Sequence, residues 1–211
     1  MNIINDKAMK SWNSFGNVML DIEAIGEGFG GVVTSIGALQ FCPITGATGK
    51  EFKVNIAVQS AINKGMHVSQ GPLEFWFDQP KEAQQAMFQD AIPIEEALSK
   101  MNSWITKLND PQDQDKYFDR RDVYWWANGG NYDFTMVDGC YNACKSSFRP
   151  WSRRNIMDWR TIKHLLGYRA DDSIYEDNLH DALSDCYRQV KMVKETMDII
   201  LGVTRSTTPS T

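Results

Sequence analysis

The chain has 211 residues, 42% of them hydrophobic and 23% charged, with a formal net charge of −5. That length holds one domain with a full core and short extensions, and the composition excludes a disordered chain or a fibre. No apolar run reaches the length of a membrane span, and the first 17 residues lack the apolar stretch of a secretion signal, so the expectation is a cytoplasmic protein with no membrane partner.

Residues 1–17 read as an extension, 18–201 as one domain and 202–211, rich in Ser and Thr, as a frayed tail. Val18 to Glu23 reads as a first strand and Val32 to Phe41 as a second. The glycines at 26, 28, 30 and 31 between them make a flexible hairpin loop. A strand, not a helix, follows them, which argues against a dinucleotide-binding loop. Pro43 to Gly49 is a turn cluster, and Glu51 to Ala57 reads as a third strand. Three strands joined by short turns predict an antiparallel meander.

Helical signals follow. Ser69 is placed to cap a short helix carrying Leu73, Trp76 and Phe77, and Pro80 suits the first turn of another through Met87. Ile94, Leu98, Met101, Ile105 and Leu108 recur at steps of four and three, the signature of one buried helix face. Asp110 to Asp119 reads as a polar loop, and Asp122 to Ala127 as a short buried strand. A helix is expected from Tyr132 to Lys145, a fifth strand over Asn155 to Trp159, and a helix through Leu166. The last helix places Cys186, Val190, Val193, Met197 and Ile200 on one stripe. The order predicts an α/β layer fold with a mixed sheet of about five strands, the first three antiparallel. The four cysteines form no Cys-x-x-Cys pair and read as buried apolar side chains.

The acidic residues carry the functional signal. Asp21 and Glu23 are two apart on one strand, so both side chains point to the same face. Two carboxylates in an apolar strand repel each other and lose hydration. Residues 11–49 contain no Lys or Arg to neutralise them, which makes cation binding the economical explanation. The alternative is a strand edge whose acids face water. Asp133 follows a strand at the opening of a helix, where ligands collect in α/β sheets and where Asp is also a common cap.

His180 and Asp185 are five apart, a step of about 140° on a helix, so they converge only if His180 sits at the helix start. With Asn178 as cap and Asp181 three residues on, His180 falls in the first turn, where the helix dipole disfavours imidazolium and leaves a neutral base. The net charge has the wrong sign for a protein handling polyanions, unless carboxylates hold cations that the formal count omits. Arg149, Arg153, Arg154, Arg160 and Lys163 form a local basic stretch, which reads equally as a solvated face.

The Asp-x-Glu strand, the Asn-Gly-Gly-Asn-Tyr-Asp segment at 128–133 and the His-x-Ala-x-x-Asp segment at 180–185 resemble the three motifs of the DEDDh exonucleases, whose fold is ribonuclease-H-like. Ser35 to Ala38, Phe75 to Phe77 and Asp158 to Arg160 are similar to a narrower group of mycobacterial-type 3′–5′ exoribonucleases and phage proteins described as exodeoxyribonuclease A or exonuclease VIII. The likeness runs from about residue 18 to 200. Two positions depart from it: Ala24, where many relatives carry Thr, and Tyr132, where relatives often have Phe.

The resemblance implies a 3′–5′ exonuclease hydrolysing phosphodiesters from the 3′ end of single-stranded nucleic acid by a two-metal mechanism. DNA is slightly favoured; RNA is the alternative, and a non-catalytic nucleic-acid-binding module is a third reading. Asp21, Glu23, Asp133 and Asp185 would hold two Mg²⁺ or Mn²⁺ ions, with Asp21 bridging, and His180 would be general base. Ile22 (through its backbone), Ala24, Trp76 and Asn131 are the expected substrate contacts, with Trp76 read equally as core. Related nucleases often pair, which makes a homodimer an expectation without an interface signal in the sequence.

Overall fold

The structure is a computed structural model that describes residues 6–169 and 180–202. A helix α1 (Asp6–Trp12) precedes three strands, β1 (Asn17–Ala24), β2 (Val33–Phe41) and β3 (Thr48–Asn55). Four helices follow: α2 (Val58–Ile62), α3 (Gln70–Phe77), α4 (Lys81–Ala86) and α5 (Ile94–Ile105). A small hairpin, β4 (Asn109–Asp110) and β5 (Asp113–Tyr117), leads to β6 (Tyr124–Ala127) and α6 (Gly130–Ala143). The chain ends with β7 (Ile156–Asp158), α7 (Trp159–Leu165) and α8 (Ala182–Leu201).

The main sheet has five strands in the order β3-β2-β1-β6-β7. The first three are antiparallel, while β6 and β7 run parallel to β1. This is the mixed α/β sheet expected from the sequence. All nine residues of β2 are buried, as suits an interior strand covered on both faces. β3 alternates exposed Glu51 and Lys53 with buried Phe52 and Val54, the pattern of an edge strand with one wet face.

The period of two along β1 sorts its side chains into two layers. Val18, Leu20, Ile22 and Ala24 join one core with Leu98, Met101, Trp125 and Phe134. Met19 joins the other, with Trp126, Trp159, Cys186, Val190, Val193 and Met197. The stripe of α5 buries Ile94, Leu98, Met101 and Ile105, and α8 lays its own stripe across β1 and β2. The four cysteines are free, three of them buried. Among the described residues no helix is long and apolar enough to cross a membrane.

Several sequence expectations need correction. Residues 6–12 of the expected extension form α1, tied to the sheet through Asn17, whose side chain donates to Ser11 and Ser14 carbonyls and accepts from Trp126 Nε1. The polar loop over Asp110 to Asp119 contains the β4–β5 hairpin, closed by a Lys116–Asp110 ion pair at 2.9 Å. Every residue of β5 is exposed and β4 is Asn109–Asp110, so no hydrophobic alternation marks the hairpin. Ser69 stands at the N-cap of α3, but its hydroxyl accepts from the Glu27 amide at 3.1 Å, tying the glycine loop to that helix. α6 starts at Gly130, two residues before the expected Tyr132.

Candidate active site

β1 presents Asp21 and Glu23 on the face that α8 covers. In the antiparallel register Asp21 lies opposite Gly37, and Glu23 opposite Ser35. Gly37 is what lets α8 approach: a Cβ there would stand 2.4 Å from the Ala182 backbone. The start of α8 is therefore pressed against β2 beside Asp21, and its first turn delivers Asp185. Asp21, Glu23 and Asp185 each offer a carboxylate oxygen, and these atoms lie within 4.8 Å of one another. Asp133, in the first turn of α6, faces the same cleft of about 570 Å³.

This crowding shows in the acidities. Burial pushes the Asp21 carboxyl well above its usual range, and the charges of Asp133, Glu23 and Asp185 add to the effect. Asp133 shares the cleft lining with Asp21, Glu23 and Asp185 and adds its charge to theirs. Glu23 is pushed up to about 8, by burial first and then by Asp185, Asp181 and Asp133; Lys53 opposes. Asp133 is raised to about 7 by burial, opposed by its own amide and by Arg160. Asp185 is raised by burial, against Arg188, which pairs with it at 2.7 Å, and against His180. Four carboxyl groups that resist ionisation together need positive charge brought from outside. Oxygen-only donors suit a hard divalent cation such as Mg²⁺ or Mn²⁺, so the residues present fit that group.

His180 lines this cleft, but not from the first turn of α8. Asp181 is the N-cap, its side chain accepting from the Ser184 amide at 3.0 Å, so His180 stands just outside the helix. Asn178, the expected cap, lies outside the described residues. His180 has φ 68°, a left-handed conformation that a non-glycine residue adopts only when its surroundings enforce it. Its ring meets Phe75 edge-on at 4.9 Å and Trp76 at 5.9 Å. Asp181 also pairs with Lys53 on β3, which anchors the turn to the sheet.

The four expected substrate contacts fare differently. Ile22 and Ala24 line the cleft, with the Ile22 side chain in the opposite-face core. Trp76 is 4% exposed and is both core and wall: its Nε1 donates to the Ala24 carbonyl at 2.9 Å. Phe75 beside it is the accessible ring, at 45%. Asn131 is exposed and does not line the cleft, whereas Asn128 and Tyr132 do. The earlier start of α6 explains this, because Asn131 lies two helical positions from Asp133, a rotation of about 200°.

Sequence reasoning missed Gln189 altogether. It is buried on α8 and donates to Asp21 Oδ1 at 2.6 Å, a contact that only the tertiary fold creates. Arg160, whose role the sequence left open, lines the cleft and donates to the Asn128 carbonyl at 2.8 Å. Asp158 caps α7, accepting from the Arg160 amide and the Thr161 hydroxyl. Gly129, at φ 114°, leaves room for the Arg160 guanidinium, which a Cβ there would meet at 2.8 Å.

The model of the 3′-5′ exoribonuclease Rv2179c-like domain matches residues 16–197. No curated protein matches the chain in sequence. Among solved structures, the nuclease domain of 3′hExo, a DEDDh family member bound to rAMP, superposes with a TM-score of 0.57 at 10% identity, covering 87% of this chain and 92% of that one. Exonuclease X in complex with 5′ overhanging duplex DNA gives 0.51 at 15% identity, covering 89% and 94%. Cell-death related nuclease 4 (CRN-4) gives 0.57 at 11% identity over 87% of this chain, which spans 64% of that protein's chain. At such identities the superpositions establish the fold, a ribonuclease-H-like sheet.

The family model places the molecule among the 3′–5′ exonucleases, and its fold is that of a DEDDh family member's nuclease domain. Within that class the chain belongs to the 3′-5′ exoribonuclease Rv2179c-like domain family.

Proposed function

We propose that this enzyme removes nucleotides from the 3′ end of single-stranded RNA, with Asp21, Glu23, Asp133 and Asp185 holding two Mg²⁺ or Mn²⁺ ions. The observation that carries this reading is the meeting of four carboxyl groups in one cleft: half-buried Asp21 and buried Glu23 from β1, Asp133 from α6 and Asp185 from α8. When bound, such cations would supply Lewis acidity to the scissile phosphate and lower the pKa of an attacking water. His180, held over the cleft by Phe75 and Trp76, accepts the proton of that water through its ring. Water adds to phosphorus, the bond from phosphorus to the 3′ oxygen breaks, and a nucleoside 5′-monophosphate leaves. Gln189 holds Asp21 in place, and Arg160 offers a guanidinium to phosphate oxygens. Phe75 and Tyr132, both 45% exposed, are the rings against which the terminal base stacks.

The matching family model, that of an exoribonuclease domain, favours RNA over the DNA that the phage-like resemblance suggests. Digestion of matched end-labelled RNA and DNA decides the polymer. Faster loss of the RNA supports this reading, and faster loss of the DNA restores the alternative. A binding module without catalysis predicts no digestion of either with Mg²⁺ or Mn²⁺ present.

A further inference from the structure

Beside the acidic cleft, the C-terminal end of α7 and the middle of α8 line a second groove of about 690 Å³. Its lining carries the cations Lys163, Arg169 and Arg188 and the imidazole of His164, with no Asp or Glu among the described residues. On a chain of net charge −5 this concentration is a local reversal of sign. Lys163 lies over the Trp159 ring, 4.9 Å from its centroid, which holds the ammonium at the groove wall. His164 and Arg169 are exposed.

The groove and the cleft are neighbours. Asn128 lines both. Arg188 and Gln189 line the groove while pairing with Asp185 and Asp21 respectively. These three residues also hold buried polar atoms without a hydrogen-bond partner among the described residues: Asn128 Oδ1, Arg188 Nε and Gln189 Oε1. Arg188 Nε is a donor that a phosphate oxygen would satisfy, while Asn128 Oδ1 and Gln189 Oε1, the latter on a residue only 3% exposed, are acceptors that a ribose hydroxyl of the strand would satisfy. On another rim of the cleft stand Glu27, Gly71 and Phe75, which offer a phosphate no cation.

A single strand with its terminal phosphodiester in the acidic cleft must leave along one side, and every phosphate it carries favours the positive side. We propose that the α7–α8 groove carries the phosphates that lie 5′ to the scissile bond of a bound single strand. This rests on the exonuclease reading and adds direction to it: the strand runs from the acidic cleft past Asn128 toward Lys163 and Arg169.

The test compares the enzyme with Lys163→Gln, Arg169→Gln and the double variant. None of these residues touches the acidic cluster, so hydrolysis of a dinucleotide, which has no phosphate beyond the scissile one, stays unchanged. On a decanucleotide the double variant loses about tenfold or more in kcat/KM. Its binding to the same strand in EDTA also becomes less salt-dependent, by about 0.7 in the log–log slope per charge removed. Lys163→Arg and Arg169→Lys keep the charges and restore both readouts. An unchanged slope and unchanged kcat/KM on the long strand would overturn the proposal, as would an equal loss on both lengths. If the unaltered enzyme hydrolyses neither substrate, the exonuclease reading fails, while the salt slope in EDTA still decides the groove.

Discussion

At the scale of single residues, the site is a set of groups that destabilise one another until a cation arrives. Asp21 is the clearest case, with burial and three carboxyl neighbours all opposing its charge. Asp21→Asn removes the charge and keeps the shape. The expected variant has no nuclease activity, yet without metal it melts higher than the parent at pH 8, by roughly 2–4 °C for each kcal/mol of repulsion relieved. Melting at or below the parent's temperature would show that the carboxylates do not strain the fold. His180 makes a different prediction, because it faces the cleft without belonging to the carboxylate cluster. His180→Ala keeps its stabilisation by Mg²⁺ while turnover falls by about 10²–10⁴. Unchanged turnover near neutral pH would assign the proton to another group.

At the scale of elements, the site depends on how closely α8 meets the sheet. Gly37→Ala inserts a methyl group against the Ala182 backbone, so the helix start must lift away. Asp185 moves with it, away from Asp21 and Glu23. The expected result is a loss of about 1–3 kcal/mol in stability on urea unfolding, together with weaker Mg²⁺ binding. Full Mg²⁺ binding with parental stability would show that the helix start has slack. This scale also separates what the sequence discloses from what it hides. Asp21 and Glu23 are legible because a strand has a period of two, and the stripe of α8 because a helix has a period of 3.6. The position of His180 is not legible, because it needs a left-handed backbone at a residue type that rarely adopts one. The placement of Asn131 is not legible, because a helix boundary that moves by two residues turns a side chain to the far side. The β4–β5 hairpin is not legible because polar strands carry no apolar alternation. Gln189 escaped because its partner is 168 residues away.

At the scale of the whole molecule, stability, pH and divalent ions are linked. Burial pushes the pKa of Glu23 up to about 8 and that of Asp133 up to about 7 in the folded chain. The folded state therefore keeps protons that the unfolded chain releases at lower pH. By linkage, the metal-free protein loses stability as pH rises from about 4.5 toward 8. Mg²⁺ or Mn²⁺ displaces those protons, so the stabilisation it gives grows over the same range. A series of melting curves with and without Mg²⁺ reads both trends, and a Mg²⁺ effect that is independent of pH would count against the linkage.

The proposed function requires these four acids to hold the ions that cut nucleic acid from its 3′ end. It is tested most directly by digesting 5′-labelled single strands with the enzyme and with Asp21→Asn, in Mg²⁺ and in EDTA. The account predicts a ladder shortening from the 3′ end with the unaltered enzyme in Mg²⁺, and intact strand in the other three lanes. Digestion in EDTA, or an equal ladder from Asp21→Asn, would contradict it.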